Sequence, residues 1–134
     1  MLSIKKDFAT PEGAILCLED AYRAEDLEAA VACMDFRTQA RLTLTEANWP
    51  KEEIDDHLLD QTAEMLESSF RIEFQKNGFP DMKGVRSTFP SKKPYQDDIV
   101  VVTEVCWYPD GGTSRQKMLV ANTDQGWRVL SPLD

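Results

Sequence analysis

Few residues of this chain have the types and spacing to do chemistry together. The one histidine, His57, stands among Glu53, Asp56, Asp60 and Gln61, so a helix over this stretch brings carboxylates within one turn of an imidazole. A carboxylate-bridged dimetal centre needs Glu-x-x-His pairs and further acids from other helices. Here Glu53 and His57 are four apart and there is no second histidine. A lone histidine does not complete a metal site, and these residues read as solvated helix surface, with no metal and no cofactor expected. The three cysteines, Cys17, Cys33 and Cys106, lie at no metal-binding spacing, and each sits in an apolar or amphipathic pattern, as buried reduced thiols do. Proton abstraction requires a carboxylate in a pocket with a donor opposite it. Tyr22, Asp35 and Thr103 could supply such parts, but Tyr22 reads equally as a core aromatic and Asp35 as a helix cap. No catalytic residue is assigned.

What remains is a surface. Glu53, Asp56, Asp60, Glu64 and Glu67 recur at three- and four-residue steps, so a helix places them on one side. Charge is uneven along the chain. Residues 1–67 hold 16 acids and 6 bases, net −10, whereas residues 68–134 hold 8 acids and 9 bases, net +1, together −9. Such a field repels nucleic acid and anionic membranes and attracts basic partners. Glu53, Asp56, Asp60 and Glu64 are the candidate partner-binding residues, joined by Tyr108, an aromatic at a sheet end of the kind that anchors interfaces. The loop Asp110-Gly111-Gly112 is hairpin chemistry, not a phosphate cradle.

These residues must be positioned by helices first and strands last. Thr10-Pro11-Glu12 opens a helix to about Ala24, with a capping hydroxyl, proline at the first helical position and an acid in the first turn. Asp26 opens a second, short helix, and Asp35 or Thr38 a third. Trp49-Pro50 breaks the chain. Pro50-Lys-Glu-Glu then opens a long helix to Lys76, with Ile54, Leu58, Met65, Leu66, Phe70 and Phe74 inward and Asn77-Gly78 as its stop. Val85–Phe89 reads as a short edge strand, because Pro90 and Pro94 exclude it from a sheet interior. Three antiparallel strands follow: Asp98–Tyr108, Thr113–Asn122 and Gly126–Ser131.

If the loop from Pro109 to Gly112 closes on Tyr108 and Thr113, Glu104 pairs with Lys117 and Cys106 with Arg115. Ile99, Val101, Thr103, Val105, Trp107, Met118, Val120, Trp127 and Val129 then form the core face beneath the helices. A slip of one residue exchanges the faces. The opposite face, with Glu104, Tyr108, Lys117, Leu119 and Leu130, is more apolar than a solvated face requires. That leaves a homodimer through the sheet open.

The order of these elements resembles the nuclear transport factor 2-like fold. The segment from Thr10-Pro-Glu-Gly-Ala14 through Asp26-Leu-Glu-Ala-Ala-Val31 to Cys33-Met-Asp-Phe36 looks like that family's opening. Asn122-Thr-Asp-Gln-Gly-Trp-Arg-Val-Leu130 is similar to its last hairpin. The resemblance implies an α+β, cystatin-like cone in which N-terminal helices pack on a curved antiparallel sheet, spanning 1–134 as one domain. Within that fold the chain looks most like the immunity proteins of bacterial polymorphic-toxin systems. This implies a protein that binds and neutralises a cognate toxin with a basic surface and has no catalysis of its own. The alternatives are a small enzyme of isomerase or dehydratase type with a site in the cone, or a dimerising ligand-binding module. Two lysines near the N-terminus precede no apolar stretch, and no run approaches a membrane span, so the expected compartment is the cytoplasm, with no membrane partner.

Overall fold

The computed structural model describes residues 4–132. Four helices precede a four-stranded antiparallel sheet of order β1-β2-β3-β4, an α+β architecture. The chain forms two compact units, one made of the residues up to Met34 together with those from Phe79 onward, the other of Asp35–Gly78.

In the first unit, α1 (Pro11–Arg23) begins where Thr10 Oγ1 accepts from Gly13 N, and α2 (Leu27–Ala32) where the Asp26 side chain accepts from Ala29 N. Each cap satisfies one of the backbone donors that a helix start leaves unpaired. Ala14, Ile15, Leu18 and Ala21 make the buried stripe of α1, which packs on β2 (Ile99–Trp107), β3 (Thr113–Thr123) and β4 (Gly126–Pro132). The free edge of β4 is closed from the N-terminal side: Trp127 N donates to Phe8 O and Val129 N to Cys33 O, both at 2.8 Å. Edge groups satisfied within the chain are not offered to a neighbour.

The other edge is β1 (Arg86–Gln96), longer than the sequence suggests. Both of its prolines fall where the pairing with β2 slips, between Thr88 and Ser91 and between Pro94 and Gln96. An irregularity on an edge strand is where a residue without an N–H is tolerated.

Between β2 and β3 the register differs by one residue from the sequence expectation. Trp107, not Tyr108, pairs with Thr113; Glu104 lies opposite Gln116, Thr103 opposite Lys117 and Val105 opposite Arg115. The Glu104–Lys117 pair is therefore not formed. Tyr108 belongs to the loop, where its N–H donates to Gly112 O and its carbonyl accepts from Gly111 N. The expected pairing of Val120 with Val129 and of Asn122 with Trp127 is present. The slip exchanges the faces of β2 only. Val102, Glu104 and Cys106 share a face with Met118, Val120 and Val129, and all six are buried. Trp107, expected in the core, is 43% exposed. The opposite face is also covered in part, with Ile99, Leu119 and Leu130 buried.

In the second unit, α3 (Phe36–Glu46) is capped by Asp35, which accepts from Thr38 N and from its hydroxyl. Pro50 opens only a single 3-10 turn, Lys51–Glu53. The long helix α4 (Asp56–Asn77) starts instead at Asp55, whose carboxylate accepts from Leu58 N, and stops at Gly78. A proline side chain has no acceptor for a helix N–H, and aspartate has one. Ile54, Leu58, Leu66, Phe70 and Phe74 of the expected stripe pack within this unit, and Met65 does not. Leu59 and Thr62 are buried and Met65 is 64% exposed. Ala40, Leu44 and Leu59 form the core of this unit, with Ile54, Leu58, Ala63 and Leu66 packed around them. Phe36, Phe70 and Phe74 stack edge to face.

Candidate functional site

The expected partner-binding residues fall into both units. Glu53 lies on the 3-10 turn and Asp56, Asp60 and Glu64 on α4, all exposed. Arg37 of α3 reaches two of them, bonding Asp56 at 2.6 Å and also Asp60. One guanidinium thus answers two carboxylates that the sequence reading leaves unopposed. His57 is exposed beside them. Tyr108 belongs to the sheet unit, 38% exposed, with its hydroxyl 2.8 Å from Ser114 Oγ.

Of the residues weighed for proton abstraction, Asp35 is the α3 cap and Thr103 lies on the β2 face away from Glu104. Tyr22 does line a cavity of about 290 Å³, together with Ile15, Leu18, Glu19, Glu104 and Cys106. The cavity extends to the exposed residues Tyr108, Ser114 and Gln116.

Two acids stand in this cavity between α1 and the sheet. Glu19 is 5% exposed and Glu104 is fully buried. Glu19 Oε1 accepts from Ser87 Oγ at 2.9 Å, and Glu104 Oε1 accepts from Gln116 Nε2 at 2.7 Å. The second Glu104 oxygen is buried and meets no N–H or hydroxyl donor. An oxygen of each acid and Cys106 Sγ lie within 4.8 Å of one another, and Ser87 Oγ is 3.7 Å from that sulfur. Burial, and then the hydrogen bond and charge of Glu104, push the Glu19 carboxyl up to about 9. Two carboxylates so close in a buried site do not both ionise. Burial also raises the Cys106 thiol, with the Glu104 charge adding to it, and raises Tyr22.

The sequence contains a signal for this site. Ile15, Leu18, Glu19 and Tyr22 are spaced as one helix face, and Glu104 alternates with Val102 and Cys106 as one strand face. Each acid breaks an apolar pattern at a position that pattern assigns to the interior. The one-residue error in register placed Glu104 outside and hid the pair.

No family model matches the sequence, and no curated protein matches it. Among solved structures the chain is similar to a Campylobacter jejuni protein described as an NTF2-like transpeptidase, at 15% identity and a TM-score of 0.46, over 91% of this chain and 98% of that one.

Proposed function

We propose that this protein is an immunity-type inhibitor, which binds a cognate bacterial toxin in the cytoplasm and blocks it without catalysis of its own. The observation that carries this reading is the exposed acidity of the α3–α4 unit. Residues 35–78 hold 10 acids and 5 bases, net −5, and Glu53, Asp56, Asp60 and Glu64 all face solvent. A basic cleft, of the kind that toxins acting on nucleic acid present, is the complementary surface, and steering by opposite charge speeds capture. The Cys33-Met-Asp-Phe36 turn and the acidity, which look like those of the immunity proteins of the resembled fold, point the same way. No described helix is long and apolar enough to cross a membrane.

The test is copurification from the native cell, followed by co-expression with the product of the adjacent gene. A neighbour that copurifies and is lethal only without this protein supports the reading. A harmless neighbour and no copurifying partner overturn it.

The Glu19–Glu104 cavity favours a second reading, a small enzyme of isomerase or dehydratase type. There a carboxyl held protonated near neutral pH, with Tyr22 beside it, would act as acid and base. Glu19→Gln separates the two. An inhibitor keeps its protective effect in this variant, whereas an enzyme loses its activity.

A further inference from the structure

The geometry points to a buried transition-metal site, specific for a zinc-like divalent ion, formed by Glu19, Glu104 and Cys106 in the cavity between α1 and the sheet. This goes beyond toxin binding and does not depend on it. Three independent features support it.

The first is the donor set. One oxygen from each acid and the Cys106 sulfur converge within 4.8 Å. Zinc–oxygen and zinc–sulfur distances are about 2.0–2.3 Å, so donors bound to one ion lie within about 4.6 Å of one another, close to the spacing found here. The second is the orphaned acceptor: Glu104 is 0% exposed, lines the cavity, and its Oε2 meets no N–H or hydroxyl donor among the described residues. A buried carboxylate oxygen is costly to leave without a cation or donor. The third is the set of supporting groups. Gln116 holds the other Glu104 oxygen and Ser87 holds Glu19 Oε1 while touching Cys106 Sγ. Ligands oriented by a second ring of hydrogen bonds are the usual form of a protein metal site.

The chemistry of the donors selects the ion. A thiolate with two carboxylates suits zinc or cobalt, while magnesium and calcium prefer all-oxygen sets. Three protein ligands leave a fourth position toward the cavity, whose volume of about 290 Å³ admits water. Cys17 and Cys33 are not part of the cluster, and they serve as internal controls.

Cobalt titration of the reduced, chelator-treated full chain tests the site. One equivalent of Co²⁺ is expected to produce a thiolate-to-cobalt charge-transfer band, which Zn²⁺ then abolishes by displacement. The band is expected to persist in Cys17→Ser and Cys33→Ser and to vanish in Cys106→Ser. Glu104→Gln is expected to keep the band with affinity lowered by about tenfold or more. It also keeps the test decisive if Cys106→Ser does not fold, which circular dichroism reports. Absence of the band in the wild-type chain overturns the proposal. So does a band that survives in folded Cys106→Ser, or an affinity unchanged in Glu104→Gln.

Discussion

Glu19 is an acid that the fold prefers neutral, and this sets a direction for stability against pH. Burial is the main cause that holds its folded pKa at about 9, against 4.5 for the free group. Below the lower value both folded and unfolded chains carry the proton. Above it the unfolded chain releases the proton while the folded chain keeps it, so stability falls as pH rises toward the folded value. The slope from this one group is at most about 1.4 kcal/mol per pH unit. Glu19→Gln keeps an acceptor for Ser87 and offers Glu104 a permanent N–H. In metal-free buffer, urea midpoints of the wild-type chain should fall between pH of about 5 and 9, and those of Glu19→Gln should fall less, crossing to greater stability at alkaline pH. Parallel profiles would mean that the acid is not neutral in the folded state. Truncation of the partner acid has the opposite character. Glu104→Ala leaves Gln116 without its acceptor and enlarges the cavity that Glu104 lines, so it should lower stability by about 2–4 kcal/mol, read as a reduced urea midpoint at neutral pH.

The elements were legible to different depths, and the reason lies in how local their signals are. Thr10, Asp26 and Gly78 act within a few residues, and each helix boundary they announce is where it was expected. Pro50 and Asp55 compete for the start of α4, and the acid wins because its side chain accepts a helix N–H. The register of β2 against β3 has no local arbiter. Ile99 to Val102 is apolar at every position, so neither face is marked by alternation, and the choice falls to a loop that takes in Tyr108. This ambiguity is what concealed Glu104. The turn into β4 is the converse, a local feature with a long-range consequence. Gly126 has φ +102°, and a Cβ there would lie 2.6 Å from Phe8 O, the acceptor that Trp127 N uses. Gly126→Ala should therefore cost about 1–3 kcal/mol through backbone strain and loosen the N-terminal segment. Hydrogen exchange should quicken first at the Trp127 amide. Exchange unchanged at Trp127 alongside full stability would show that the segment yields without loss.

At the scale of the whole molecule, the question is whether its net charge of −9 is a recognition device or only a means of staying soluble. Arg37 separates these, because it is the cation that answers Asp56 and Asp60. Its pairs are surface pairs, Asp56 having a side-chain exposure of 92%, so their loss should change stability by only about 0–1 kcal/mol. Arg37→Ala takes the net charge from −9 to −10 and releases both carboxylates on the face proposed to meet a basic toxin. Association with that toxin should then be faster at low salt, the gain shrinking as added salt screens the field. Asp60→Lys should act in the reverse sense, slowing association and flattening its dependence on salt. Stopped-flow association rates across a salt series measure both. A slower, salt-insensitive rate for Arg37→Ala would mean that the guanidinium itself touches the partner. Identical rates for all three proteins would place the interface away from α4, and the less committed surface around Tyr108 would be the next to mutate.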